Sequence, residues 1–535
     1  MKAWLQVGVL LLMMASAGAN FAEEPEPDEP VPAEEEEEEE EKEQKDEREP
    51  ETTPVPATPR KQTTQHELKL DGKALRYTAT VGWLILEDKK KNQPIARFGY
   101  TAYTLDGVKD PARRPITFAF NGGPGSASIW LHMGVLGPRR VVVNDGGYAP
   151  PPPARLVDNE YSILDVTDLV MLDPVGTGFS KPVGKAKGKQ FWGVDQDVES
   201  VGSFIERYVT ENGRWGSPKY VLGESYGGVR GAGLARYLQS KLGMNLNGLI
   251  MVSPYFNVVS GDDGLGIDLP HALYLSTFAA TAWYHDALAE KPASLPAYME
   301  EVERFAIEEY APALLQGYAI APEEKQAIAA KLARYTGTSA AFWQRADLRV
   351  THVEFLQELM RDRGLIAGRI DSRFSGPSLN ALNDEMDYDP FFPAVGPAFT
   401  AAFREYLHSE LKFFVPDEYV VSGGLYEKWD WSHEQPGADG DENDKVPVTN
   451  VLPDLEVAMT MNPGLHVLCE QGRYDLATPA HALKYNLDRL RLTPEARKRI
   501  HVNYYDSGHM MYLHADSARR FRENVVGFIK ETDQL

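Results

Sequence analysis

Nine residues, Tyr-Val-Leu-Gly-Glu-Ser-Tyr-Gly-Gly at 220–228, constrain this chain more than any other stretch. The three apolar residues read as a buried strand. Gly223-Glu-Ser-Tyr-Gly227 then fits G-x-S-x-G, and residues 229–241 read as a helix. Strand, G-x-S-x-G, helix is the context in which a serine is carried on a sharp turn, its hydroxyl exposed above the edge of a sheet. Such a turn forces the serine into a strained backbone conformation, so the flanking positions are expected to lack side chains. The following helix directs the positive end of its dipole at the same place. Ser225 is therefore the candidate nucleophile. The plain alternative is a Gly-rich strand-to-helix turn with a capping serine.

The rest of the pattern describes the sheet that would carry this turn. Between 67 and 104 short alternating runs, broken at Asp71-Gly72 and around 89–92, read as antiparallel strands. Compact apolar runs at 116–120, 169–172 and 249–252 join the run at 220, with a helical stretch at 194–210. Strands alternating with helices imply a mainly parallel, doubly wound α/β sheet. From about 260 the character changes. Residues 269–288, 295–315, 322–335, 353–363 and 399–411 carry helical periodicity, and strand patterning returns only at 465–469 and 501–505. A helical block at about 260–450, inserted between two halves of a sheet, is expected to cap the site.

Charge matters mainly for what precedes this domain. Of the net charge of −24, the stretch 23–51 holds 18 acidic and 3 basic residues, or −15, which leaves −9 elsewhere. The globular part is only mildly acidic, and nothing in it suggests a nucleic-acid partner. Residues 20–62, rich in Glu and Pro, bury too little to offset their ordering entropy and read as a disordered tether. Residues 1–19 have a leader's form: Lys2, an apolar core at 7–14 and small residues at 15–19. That predicts export, to a periplasm or beyond the cell, with no membrane anchor after cleavage. Cys469 is the only cysteine, so no intrachain disulfide is expected. The catalytic unit is then 63–535.

A serine nucleophile needs a base, and the base needs an orienting carboxylate. On the layout that goes with G-x-S-x-G, the order is Ser, Asp or Glu, then His, each beyond a strand's C-terminal end. Asp475 follows the strand at 465–469, and His509 follows the one at 501–505 within Gly-His-Met at 508–510. His271, His285 and His352 fall in the helical block and read as structural. Asp454 and Asp506 are the rival carboxylates. One oxyanion donor on this layout is the backbone N–H of Tyr226. The other comes from the Gly-rich loop after 116–120, and Gly123 is the candidate. The run Asp439-Gly-Asp-Glu-Asn-Asp444 lacks the glycine and glutamate of a calcium loop and reads as solvated. No metal or cofactor is implied.

Together Asn-Gly-Gly-Pro-Gly-Ser-Ala-Ser at 121–128, Gly-Thr-Gly-Phe-Ser at 176–180, Gly-Glu-Ser-Tyr-Gly-Gly at 223–228, Asp475 and Gly-His-Met at 508–510 resemble the serine carboxypeptidase family. The resemblance runs in order from about Glu67 to the end, in the manner of a bacterial-type exported member. It implies an α/β-hydrolase fold, Ser225, Asp475 and His509 as triad, and Gly123 and Tyr226 as oxyanion donors. It further implies that Asn121, Gly122 and Glu224 bind a peptide's terminal carboxylate, and that Met510 borders the leaving-residue pocket. A carboxylic acid facing a substrate carboxylate must keep its proton, because adjacent negative charges repel.

Three departures stand out. Ser126 and Ala127 replace the family's Cys-Ser, the disulfides of eukaryotic members are absent, and Val135 stands where the family has a glutamate paired to the one before the nucleophile. Glu224 is therefore expected to lack its partner. The expected function is a serine-type carboxypeptidase acting through an acyl-enzyme on peptide substrates. The alternatives are an esterase or acyltransferase on the same triad and, from another class, a tethered binding protein with a vestigial site. Side-chain preference and oligomeric state, a homodimer among the options, stay open.

Overall fold

Alternation of side chains across a pleat dictates how the described chain opens. The computed structural model describes residues 57–437 and 445–533. Within them β1 (Arg60–Leu70), β2 (Lys73–Asp88) and β3 (Gln93–Leu105) pair antiparallel. Both turns use positive φ: Asp71 (49°) and Gly72 (75°) in the first, Asn92 (53°) in the second. Asp, Asn and Gly tolerate this region best. The strand begins earlier than the sequence suggests. Arg60, Lys61 and Gln62, read as the end of the acidic tether, already pair with Trp83, Gly82 and Val81. The leader at 1–19, the tether as far as 56 and the acidic run at 439–444 lie outside the described residues.

Beyond β3 the sheet turns parallel. It continues with β4 (Ile116–Phe120), β5 (Asp168–Asp173), β6 (Lys219–Glu224), β7 (Gly248–Val252), β8 (His466–Gly472) and β9 (Ile500–Tyr505). The spatial order is β1-β2-β3-β5-β4-β6-β7-β8-β9, and a two-residue strand, Lys181–Pro182, adds to β3. Only β3 meets β5 antiparallel; every later neighbour is parallel. Every residue of β4, β5, β6 and β7 is buried, which is why these strands read as continuous apolar runs and not as alternations.

Helices cover both faces. Helix α1 (Val194–Glu211) and α2 (Gly227–Leu242) pack with Phe98, Phe118 and Val221 on one side. The C-terminal helix, Ala515–Thr532, packs through Phe521, Val525 and Phe528 against Tyr220 and Ile250 on the other. The loops that follow β4, β5, β6, β8 and β9 hold Asn121, Gly176, Ser225, Asp475 and His509 respectively. These are carboxyl ends of parallel strands, where open α/β sheets gather their sites.

The insertion between β7 and β8 is only partly the helical block that its periodicity predicts: short strand pairs join Leu365–Ala367 to Ser375–Pro377 and His433–Glu434 to Lys445–Val446, and its helices serve two cores. Helices α3 (Asp268–Tyr284), α4 (Leu295–Phe305), α5 (Pro322–Thr336) and α6 (His352–Glu358) surround a core of their own with Phe278, Val302, Leu332, Trp343 and Phe355. Helix α7 (Phe391–Ser409) instead packs Phe399, Phe403 and Tyr406 into the main core beside Met133 and Leu136. It starts eight residues before the periodic signal, running through Pro393 in its first turn, where a missing N–H costs little, and through Pro397 inside the helix. The cap is thus mainly the 268–358 block. No helix among the described residues is long and apolar enough to cross a membrane.

Trp343 is fully buried at the centre of the cap core, with its indole N–H on Thr338 Oγ1 at 2.8 Å. Replacing it by alanine is expected to cost about 3–5 kcal/mol. Urea unfolding followed by fluorescence checks this, and a loss below about 1 kcal/mol would mean the cap core is not closely packed.

Candidate active site

Ser225 takes φ +63°, a left-handed conformation that a non-glycine residue adopts only when its surroundings enforce it. Its N–H donates to Val252 O at 3.0 Å, and its carbonyl accepts from Gly228 and Tyr255 N–H at 2.8 and 2.9 Å. The need for glycine is uneven. A Cβ on Gly223 would lie 2.4 Å from the Gly227 carbonyl oxygen, and one on Gly228 would lie 2.8 Å from Pro254 Cβ. A Cβ on Gly227 would meet nothing nearer than 3.4 Å. The expectation that both positions flanking the motif must be bare therefore holds for Gly223 and shifts from Gly227 to Gly228.

Asp475 and His509 are hydrogen-bonded to each other. His509 Nδ1 lies 2.7 Å from Asp475 Oδ2, with Asp475 fully buried. Three residues that the sequence reading did not single out hold that carboxylate. The N–H groups of Ala477 and Thr478 donate to Oδ1 at 2.8 and 2.9 Å, and the Thr478 hydroxyl donates to Oδ2 at 2.7 Å. Gln471 Nε2 adds a longer bond at 3.3 Å. The backbone part is a local Asp turn, for which Asp-Leu-Ala-Thr at 475–478 is a legible signal. Burial alone would push His509 down; the adjacent Asp475 carboxylate outweighs it and, with Glu224, raises the imidazole above its ordinary value. The Ser225 hydroxyl makes no hydrogen bond here among the described residues, as is common in substrate-free sites whose bonds tighten on binding. The rival carboxylates are engaged elsewhere. Asp454 meets His433 at 2.8 Å and Arg236 at 3.1 Å, and Asp506 pairs with Arg473 at 2.9 Å.

Ser225 and His509 open into a cleft of about 390 Å³ that Asn121, Gly122, Gly123, Glu224, Tyr226 and Met510 also line. Tyr226 caps α2, so its N–H is one of the orphan donors of a helix start. Gly122 is held against the elbow, since a Cβ there would lie 2.4 Å from Tyr226 N. Arg230, fully buried, fixes this loop from below: Nε donates to Asp197 at 2.7 Å and Nη1 to the Asn121 carbonyl at 2.8 Å. The arrangement can attack a carbonyl with a serine, shuttle a proton through an imidazole and hold a tetrahedral oxygen between two N–H groups.

Glu224 is not without partners. Asn121 Nδ2 donates to its Oε1 at 2.6 Å, and the Tyr512 hydroxyl donates to its Oε2 at 2.7 Å. The missing glutamate at 135 is thus no vacancy. Val135 is fully buried among apolar residues, and the Tyr512 ring fills the space over Gly134, where a Cβ would lie 2.4 Å from it. No pattern in the sequence points to Tyr512. Asn121 Oδ1 accepts from Leu131 N–H, which sets the amide's orientation and leaves its second amide hydrogen over. Burial pushes Glu224 up to about 7, against opposing effects of His509, Tyr512 and Asn121. Trp431 lines the cleft, whereas Trp343 packs the cap and the Trp429 indole N–H donates to the Tyr226 hydroxyl at 3.0 Å.

The sheet, the elbow and the Ser, Asp, His order are those of the α/β-hydrolase fold. A prohormone-processing carboxypeptidase from Saccharomyces cerevisiae superposes with a TM-score of 0.52 at 16% identity, over 85% of this chain and 91% of that one. Sequence narrows the class: the family model described as serine carboxypeptidase matches residues 99–289. Serine carboxypeptidase-like 36 of Arabidopsis thaliana is 31% identical over 179 residues, 32% of this chain and 34% of that protein. Carboxypeptidase Y of Saccharomyces cerevisiae is 27% identical over 168 residues, 30% of this chain and 27% of that protein. The chain resembles the serine carboxypeptidases, and the aligned segment spans about a third or less of these curated relatives.

The uneven glycine requirement has a consequence for stability. Gly223→Ala is expected to lose about 2 kcal/mol or more through overpacking against a backbone oxygen, and Gly227→Ala less than about 1 kcal/mol. Thermal or urea denaturation of the two variants compares them directly; equal losses would contradict the geometry.

Proposed function

We propose that this chain is an exported serine-type carboxypeptidase. Ser225 attacks the carbonyl of the last peptide bond. His509 takes the serine proton and returns it to the leaving amine, while Asp475 holds the Nδ1–H tautomer. The N–H groups of Gly123 and Tyr226 stabilise the oxyanion, and water resolves the acyl-enzyme. Replacing Ser225 by alanine should lower turnover by about 10⁴- to 10⁶-fold, measured on a short peptide. Retention of most activity would exclude this serine.

The observation that carries the exopeptidase reading is the buried Glu224 between Asn121 and Tyr512, beside the nucleophile. Below about pH 7 its carboxyl is mostly neutral and can donate to a substrate's terminal carboxylate. The coupling to His509 favours the working state. A neutral imidazole removes the effect that lowers Glu224, and a neutral Glu224 removes one that raises His509. Met510, 5% exposed, borders the leaving residue. Two peptides that differ only in a free or an amidated C-terminus test the reading by mass. Stepwise loss of one residue from the free form alone is expected; equal cleavage of both, or turnover of simple esters alone, would point to the other acyl substrates.

The sign of the pH effect follows. As pH rises through about 7, Glu224 ionises and repels a free carboxylate, so KM for free-ended peptides rises while that for esters does not. Glu224→Gln cannot ionise and should lose this alkaline limb. Tyr512→Phe removes a donor to the charged form, which moves the limb to higher pH. Steady-state profiles from pH 4 to 9 read all three, and an unchanged limb in Glu224→Gln would assign it to another group.

The 1–19 leader and the acidic segment after it support export and a solvated tether. Intact mass of secreted protein should show cleavage after Ala17 or Ala19, and a mass retaining Lys2 would refute it.

A further inference from the structure

The cap contributes a cation to the same cleft. Arg369, half-buried, lines it together with Tyr255, Asp262, Tyr274, His352 and Tyr426. Its Nε donates to His352 Nε2 at 3.1 Å. His352 Nδ1 in turn lies 2.8 Å from Asp263 Oδ1, and the ring stacks on Tyr274 at 5.3 Å between centroids. An imidazole nitrogen that accepts from a guanidinium carries no proton, so the ring is the Nδ1–H tautomer, anchored by a carboxylate. Asp263 also accepts the His352 backbone N–H at 2.6 Å, which fixes the start of α6. The guanidinium is therefore gripped on one edge by a rigid relay.

Its other edge makes no hydrogen bond among the described residues. A guanidinium has five N–H donors, and the Nη1 and Nη2 fork is the part that matches a carboxylate bidentately. Among the described residues no carboxylate comes within ion-pair distance of Arg369. Asp262, in the same cleft, accepts the Gly264 N–H through Oδ1 at 2.9 Å and does not pair with it. An unpaired, partly desolvated cation is costly unless a ligand completes it.

We propose that Arg369, clamped by His352 and Asp263, is a carboxylate-binding subsite that selects an acidic side chain on the residue preceding the scissile bond. The side of the bond follows from continuity. Tyr226, the oxyanion residue, packs its ring on Trp431 at 5.8 Å, and Trp431 packs on Tyr426 at 5.2 Å, and both line the cleft together with Arg369. Glu224, at the end of β6, and Tyr512, in the turn after β9, take the leaving residue in the reading above and stand outside this chain of aromatic contacts. The assignment rests on acylation of Ser225, as proposed above, and not on recognition of a free C-terminus.

The test compares kcat/KM for N-blocked Glu-Phe and Gln-Phe, and for the N-blocked methyl esters of Glu and Gln, which lack the terminal carboxylate. The wild type is expected to favour Glu over Gln about tenfold or more in both series, as a charge-assisted fork would give. Arg369→Gln should bring the ratio near one, and Arg369→Glu should favour an N-blocked Lys ester over the Glu ester. A wild-type ratio near one in both series overturns the subsite without any variant. A ratio that survives Arg369→Gln overturns the role of Arg369. If Arg369→Gln slows both peptides equally and leaves the ester ratio unmoved, the group binds the chain terminus and the side-chain assignment falls. Preference in the esters with no cleavage of either peptide upholds the subsite and refutes the carboxypeptidase reading instead.

Discussion

The site rests on one close approach of backbone to backbone. At the end of β6 the chain reverses so sharply that Gly223 faces the Gly227 carbonyl with room for a hydrogen and not for a methyl group. That reversal holds Ser225 at positive φ and starts α2 with the Tyr226 N–H free at its head. Neighbouring strands then decide what else can reach the serine. Because β4, β8 and β9 run parallel to β6, the loops bearing Asn121, Asp475 and His509 leave the sheet at the same edge.

Two buried carboxyl groups near His509 face different surroundings. Asp475 accepts from two backbone N–H groups, a hydroxyl and the imidazole. Glu224 has only an amide and a phenol, and burial dominates, so its ordinary pKa is carried up to about 7. Environments that separate the behaviour of two nearby carboxyls are how one pocket assigns them different tasks. Tyr512 is central to this, since it offers Glu224 a neutral donor. A second carboxyl at position 135 would face the same burial; here Val135 belongs to the apolar core, and a phenol does the pairing.

The insertion between β7 and β8 supplies the remaining wall. Its helices close over a core of their own, so this part of the insertion is a packed unit and not a loop. Hydrogen bonds among Arg369, His352 and Asp263 align them at the edge of the cleft. The sheet thus supplies the reacting groups and the cap supplies surroundings.

Much of this was legible in order along the chain. Fully buried parallel strands leave unbroken apolar runs, as in β4 to β7, while the edge strand β9 is half-buried and mixed in sequence. The turns that follow the strands leave Gly-rich or polar signatures, so the positions Ser225, Asp475 and His509 can be read without coordinates. The helices of the insertion are legible through their period, although α7 begins before its signal because Pro393 and Pro397 look like breaks. The partners of these residues were not legible. Thr478 lies near Asp475 in sequence and could be found from the local turn, but Tyr512 reaches Glu224 across 288 positions, and Arg369 meets His352 only because two cap segments fold together. Local sequence determines strands, helices and the strain of the elbow, since these depend on backbone sterics and burial period. Which carboxyl is carried up to about 7, which cation lines the cleft and what fills the place of a missing glutamate depend on groups brought together by folding, and only the tertiary structure decided them.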